Sequence, residues 1–330
     1  MQEHDVVAIG NAIVDIIGRC DDAFLARHRQ AKGSMQLVDA ATVVSLYEAM
    51  GPGIEISGGS AANTMVGVAS FGGKAGFIGK TADDAFGQIF SHDIRAAGVT
   101  FATPPAKGGD TTGRCLVLVT PDGQRTMNTF LGVSPQLGGG EVDAALIASA
   151  RIVYLEGYLF DRPEAKAAFR QAAEIAAKAG RQVALTLSDP FCVDRHRAEF
   201  LAFIKQSVDI LFANEAEIAS LYQTSAFDEA ARKAAADTKL AALTRSEKGS
   251  VIIGGGKQIA VPAAPVAKVV DTTGAGDLFA AGFLFGVARG RDLETAGRLG
   301  SLAAAEIISH IGARPEVSLA ELARKKGLLS

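Results

Sequence analysis

Short apolar runs that stop at glycine or at a polar residue alternate along most of the chain with longer stretches of helical periodicity. Residues 6–10, 75–79 and 152–155 are aliphatic or aromatic nearly throughout, the pattern of strands buried on both faces, and residues 183–191 read as a further strand leading to the same edge. Residues 208–214 and 240–244 repeat it, each ending in a polar residue. Between such runs, residues 84–97 are closed by Gly98, and residues 163–179 begin on Pro163 and stop before Gly180, the punctuation helices prefer. Strand, helix and strand in succession predict an α/β fold with a mostly parallel sheet. Helices over 275–289 and 293–308 follow, the second with Ala, Ile and Leu on one face. Charged helical pieces at 22–30 and 40–50 carry no chemical signal.

Two stretches break the rhythm. Residues 117–127 read as a hairpin turning at Pro121, Asp122 and Gly123. Gly254-Gly255-Gly256-Lys257 imitates a phosphate-binding loop but lacks its first glycine spacing, the hydroxyl residue after lysine and the helix that should follow, so it too reads as a turn. No repeat or low-complexity linker divides residues 1–330, which read as one domain.

Composition narrows the partners. A chain of 330 residues can bury a substantial core, and a net charge of −3 leaves no basic stripe for nucleic acid, so a small-molecule partner is expected. Cys20, Cys115 and Cys192 are scattered, without metal-ligand spacing, which points to a reducing compartment. Met1 to Asp5 are polar and lead straight into a strand, leaving no room for a signal peptide, and no apolar run approaches membrane-spanning length. A cytoplasmic protein without a membrane partner is expected.

Candidate chemistry concentrates at 269–282, where Val269 and Val270 run into Asp271-Thr272-Thr273-Gly274-Ala275-Gly276-Asp277 and then an apolar helix. Gly274 and Gly276 strip side chains from a helix start, so main-chain amides can close on an anion. Asp277 stands inside that turn as a candidate base for phosphoryl transfer; an N-capped helix is the plainer reading, although Asp271, Thr272 and Thr273 already supply caps. Gly58-Gly59-Ser60-Ala61-Ala62-Asn63 opens a second helix, with Asn63 on its first turn able to bond hydroxyls. A dinucleotide fold is the rival, but neither string satisfies Gly-x-Gly-x-x-Gly. Alternation places Asn11, Ile13 and Asp15 on one face of an extended segment, where Asp15 either holds hydroxyls or is a solvated strand end. Phe191 is either a core residue or a stacking platform. Asn214 and Glu217 have capping-box spacing. Arg125, just past the hairpin turn, would by default be solvated.

The string 271–277 resembles the C-terminal signature of the PfkB family of carbohydrate and nucleoside kinases, with its ribokinase-like fold, and the similarity extends from Gly10-Asn11 to the last helices. Within the family the chain is most similar to bacterial adenosine kinases. The resemblance implies a three-layer α/β/α fold with a small β lid from parts of 12–40 and 108–132. It implies an ATP-dependent phosphotransferase with Asp277 as base, the amides of Gly274, Ala275 and Gly276 as anion hole, and Arg125 reaching the transferred phosphate. Asn11, Asp15, Gly58, Gly59 and Asn63 would bind the ribose, and Met127 and Phe191 the base. Asn214, Thr244, Gly249, Gly274 and Gly276 would bind ATP. Glu217 would organise Mg²⁺ through water, and Asp271 a monovalent cation such as K⁺. Glu156, after a strand, keeps ribokinase or another sugar kinase as the alternative; a silent nucleoside-binding protein is a third reading, which the intact signature opposes. A monomer is favoured over a lid-paired dimer.

Overall fold

The computed structural model describes residues 3–330; Met1 and Gln2, part of the polar start noted above, lie outside the described residues. The strands are β1 (His4–Ile9), β2 (Ile13–Arg19), β3 (Met35–Leu37), β4 (Gly53–Gly58), β5 (Ala75–Ile78), β6 (Val99–Phe101) and β7 (Gly113–Val119). They continue with β8 (Arg125–Phe130), β9 (Ala150–Glu156), β10 (Gln182–Thr186), β11 (Ile210–Asn214), β12 (Leu240–Thr244), β13 (Ser250–Gly254) and β14 (Lys257–Val261). Among the described residues nine strands form the main sheet, in the order β14-β13-β12-β11-β10-β9-β1-β5-β6. It is parallel from β6 to β12, and antiparallel at β13 and β14.

Burial on both faces explains the continuous apolar runs. Val6 and Ala8 of β1, like Ile152 and Tyr154 of β9, face a core closed by helices Ser60–Ser70, Ala275–Ala288 and Leu293–Ile307. Val7, Ile9, Val153 and Leu155 face the opposite core, beneath helices Pro163–Lys178, Pro190–Ser207 and Phe227–Asp237. Each fully buried aliphatic side chain contributes about 1.5–3 kcal/mol on this bookkeeping. The expected three layers are present, and predicted helix limits hold to within a residue or two, except that the piece at 22–30 is helical only over Asp22–Arg27 because Arg29 turns to φ +54°.

The last two large helices lie unusually close. A Cβ on Gly282 would sit 2.4 Å from the Leu299 carbonyl oxygen, so the absence of a side chain there sets the contact.

The smaller sheet has the order β3-β8-β7-β2-β4. Residues 12–40 and 108–132 supply four of these strands, and the sheet extends beyond them to Gly53–Gly58, which pairs with β2 from Ile13↔Gly58 to Gly18↔Gly53. The β7–β8 hairpin turns where expected, with Gly123 at φ +82° donating its amide to Thr120 O at 2.8 Å. Gly255 and Gly256, at φ +59° and +74°, make the β13–β14 turn, as the rejection of a phosphate loop there required. Among the described residues no helix is long and apolar enough to cross a membrane.

Candidate active site

The chain passes between the two sheets four times, and two of these crossings, Gly10–Ala12 after β1 and Gly59 after β4, border one cavity of about 750 Å³. Its floor is the carboxyl ends of β9 to β12, represented by Glu156, Thr186, Asn214 and Thr244; its roof is the inner face of the smaller sheet. In α/β folds ligands bind at such strand ends.

Helix Ala275–Ala288 starts from Gly274, which is left-handed at φ +78°, so its side carries no Cβ against Ala313. Gly276 has open space where a side chain would stand and lines the cavity, while Ala275 does not line it. The first-turn amides have no intrahelical acceptor and carry the positive end of the helix dipole. Asp277, in that turn, accepts from Ser60 Oγ at 2.6 Å and from Asn63 Nδ2 at 3.2 Å. The two glycine-rich strings, more than 200 residues apart, thus meet at one carboxylate. Burial raises the Asp277 pKa, while Ser60, Asn63 and Arg314 pull it back. Asn63 is itself buried, and its Oδ1 has no partner among the described residues.

Asp15 lies on β2 with Ile13 and Ile17 toward the cavity, the predicted alternation, and is not a solvated strand end. Its pKa is pushed up to about 6, first by burial and also by Asp277, against Arg314 and Arg125. Gly58 does not line the cavity; it makes room, since a Cβ there would fall 2.3 Å from Asp15 Oδ2. Gly59, at φ +98°, borders the cavity and would collide with the Asn11 carbonyl if it bore a side chain. Asn11 donates through Nδ2 to Glu156 Oε1 at 2.7 Å, and Ala61 N donates to Glu156 Oε2 at 2.9 Å. Glu156, 1% exposed and raised to about 7 by burial, therefore ties the first crossing to the start of helix Ser60–Ser70.

Arg125 leaves the solvated role its position suggested. It reaches down from β8, and its Nη1 pairs with Asp271 Oδ2 at 2.6 Å, while its buried Nε and Nη2 have no partner among the described residues. Two unpartnered donors at a cavity wall fit an incoming anion. Asp271, expected to hold a monovalent cation, accepts instead from Arg125, from Gly312 N at 3.2 Å and from Thr273 N at 3.0 Å, and does not line the cavity. Three donors, one of them a guanidinium, already occupy this carboxylate, which leaves one acceptor position on Oδ1 and a neighbouring positive charge that a cation there would have to oppose.

Met127 and Thr129 complete the β8 face, and Phe191 stands at the cavity with 74% of its surface exposed, which rules out the core role. Asn214 and Glu217 form the capping box: Asn214 Oδ1 accepts from Glu217 N at 2.8 Å and Glu217 Oε2 from Asn214 N at 3.0 Å. Both residues also line the cavity. Glu217 is buried and has no cationic partner among the described residues, and burial with the nearby Asp189 and Asp277 lifts it to about 7. One carboxylate with free lone pairs in such surroundings fits Mg²⁺, which takes one or two carboxylates and keeps several waters. Thr244 lines the cavity, but Gly249 does not, serving at φ +82° as the turn residue into β13. Sequence reasoning missed Ser60, Tyr158 and Arg314. Ser60 sits inside the quoted helix start, where its hydroxyl could have been counted; Tyr158 stands in a single 3-10 turn, Gly157–Asp161, and Arg314 in an irregular segment, and neither offers a periodic signal.

The profile of the pfkB family carbohydrate kinase matches residues 54–319. Adenosine kinase from Sinorhizobium meliloti superposes with a TM-score of 0.91 at 53% identity, covering 98% of this chain and 99% of that one. A probable sugar kinase protein from Rhizobium etli CFN 42 superposes with a TM-score of 0.93 at 51% identity over 100% of both chains. Adenosine kinase from Saccharomyces cerevisiae is 26% identical over 336 residues, which cover 93% of this chain and 95% of the yeast protein.

Proposed function

Because the chain belongs to the pfkB family of carbohydrate kinases and has the ribokinase-like α/β/α fold, we propose that this phosphotransferase acts on adenosine, moving the γ-phosphate of ATP to the ribose 5′-hydroxyl. The observation that carries the reading is the meeting of Asp277 with Ser60 and Asn63 beside Asp15 in one cavity. Asp15 and the unpartnered Asn63 Oδ1 accept from the ribose hydroxyls. Asp277 takes the proton of the attacking hydroxyl, whose oxygen bonds to the γ-phosphorus as the bond to the β-phosphate bridge breaks and ADP leaves. The amides from Gly274 to Asp277 and the free donors of Arg125 receive the charge on the transferred group. Thr244, Asn214 and Gly276 line the nucleotide side, and Gly249 shapes the turn beside it. Glu217 would hold Mg²⁺ through its waters, and the ion would neutralise phosphate charge.

Phe191 and Met127 favour a nucleoside, since an exposed aromatic at a cavity rim offers a plane for a base. The competing reading is a sugar kinase, which the buried Glu156 in the cavity wall favours, although its oxygens already serve Asn11 and Ala61. Turnover with ATP and Mg²⁺ is compared for adenosine, inosine, guanosine, ribose and fructose, with adenosine expected to lead; faster phosphorylation of ribose or fructose would overturn the assignment. As a second arm, Phe191→Ala should raise KM for adenosine by about 5- to 160-fold, from a stacking contribution of roughly 1–3 kcal/mol, without affecting ribose.

A further inference from the structure

Three successive residues, Gly312, Ala313 and Arg314, touch both glycine-rich strings. Gly312 N donates to Asp271, Ala313 lies 3.1 Å from where a Cβ on Gly274 would be, and Arg314 crosses to the second string. Its Nε donates to Ser57 O at 2.9 Å, Nη1 to Ala62 O at 3.1 Å, and Nη2 to Ser57 O at 2.5 Å and Ser57 Oγ at 2.8 Å. We propose that Arg314 is a positioning residue for phosphoryl transfer, clamping the turn that carries Ser60 and Asn63 and supplying the positive charge that keeps Asp277 a competent base.

The bonds it makes distinguish this from an ordinary ion pair. All of these donors go to neutral oxygens and none to a carboxylate, so the charge is held in place without being quenched by a direct partner. Ser57 Oγ can accept from Arg314 because its own proton goes to Asp93 Oδ2 at 2.6 Å, which also accepts Ser57 N at 2.7 Å. The clamp is therefore braced from helix Ala85–Ala96. Removing the guanidinium would release the carbonyls of Ser57 and Ala62 on either side of Ser60, the residue that holds Asp277.

Electrostatics adds to the geometry. The groups acting on Asp277 or acted on by it are Ser60 and Asn63 on one helix, Asp15 on β2, Tyr154 and Glu156 on β9, Tyr158 just beyond it, Glu217 on helix Glu215–Tyr222, and Arg314. Arg314 is the cation among them, because Arg125 is committed to Asp271. Burial pulls the Arg314 pKa down to about 10, while Asp93, Asp15 and Asp277 hold it up. It is still protonated at neutral pH.

The inference rests on the kinase reading, and the experiment separates the two. Wild type and Arg314→Gln are compared in kcat, KM for nucleoside and for ATP, and the pH dependence of kcat/KM, with circular dichroism to verify the fold. Without the charge Asp277 should hold its proton more tightly, so the acid limb should move about one pH unit upward. We expect kcat at pH 7 to fall at least about tenfold, with KM for ATP little changed and KM for nucleoside, to which Asn63 contributes, rising by less than kcat falls. Arg314→Lys restores the charge without the fork, and should bring the acid limb back while kcat stays below wild type. A folded Arg314→Gln enzyme whose acid limb stays put, or whose loss lies in KM alone, would overturn the proposal. If Arg314→Gln does not fold, Arg314→Lys decides: a wild-type limb with lowered kcat supports it, and wild-type values of both overturn it. A wild-type protein with no transfer to any acceptor would refute the kinase reading instead.

Discussion

Asp277 is a carboxylate that two neighbours orient and that burial keeps reluctant to ionise. In its proposed role of general base it must be ionised, so activity should be lost on the acid side, through a limb above the ordinary carboxylate range. Asp277→Asn keeps the shape and can still meet Ser60 and Asn63, so turnover should fall by about 10²- to 10⁴-fold while the thermal midpoint stays near wild type; near-normal turnover would remove the assignment. Asp277, Asp15 and Asn63 were legible in the sequence because each stands at a fixed step from glycine or in a strict alternation. The freedom of Phe191 to face the cavity was not, since a phenylalanine after a strand has the same pattern whether it points in or out. Arg314 was invisible for a related reason: apart from Ser57 Oγ, its partners are main-chain carbonyls, which every residue has.

At the scale of elements, the cradle is only as well placed as the helix that begins it. Helix Ala275–Ala288 is fixed from two sides by absent side chains, Gly282 against Leu299 and Gly67 against Ala281. Gly282→Val would drive methyl groups into a backbone oxygen, forcing the helices apart at a cost of about 1–3 kcal/mol. The midpoint of urea unfolding should drop with an unchanged slope, and turnover should fall as well, because the displaced helix carries Gly276 and Asp277. An unchanged midpoint would show that the contact yields freely. Strand and helix order was readable from apolar periodicity, as in β1, β9 and the helix after Pro163. The role of Gly53–Gly58 as an edge of the smaller sheet was not, because its Ile54 is 70% exposed and its end merges with the Gly58-Gly59 helix signal.

For the whole molecule, the cavity concentrates acids that folding has made harder to ionise. Asp15 is raised to about 6, and Glu156 and Glu217 to about 7, from ordinary values of 3.8 and 4.5. A carboxyl with a raised folded-state pKa adds stability below its unfolded value and loses it as pH rises through the folded one. His4, lowered chiefly by burial, acts in the opposite sense, but it is one group against these three and Asp277, which burial also raises. The ligand-free protein should therefore melt at a higher temperature at pH 5.5 than at pH 8, as scanning calorimetry can establish; a higher midpoint at pH 8 would show that these acids find compensation that the packing does not reveal.

The position of β1 has a consequence for how the polypeptide is made. His4–Ile9 emerges from the ribosome before the rest of the main sheet, yet it is an interior strand whose neighbours are β5 on one side and β9 on the other. Until residues 150–156 have been translated, one of its flanks offers open main-chain groups to any passing strand. Nascent intermediates of this length are the ones most in need of shelter by a chaperone, and amino-terminal fragments ending before β9 should aggregate where the full chain does not.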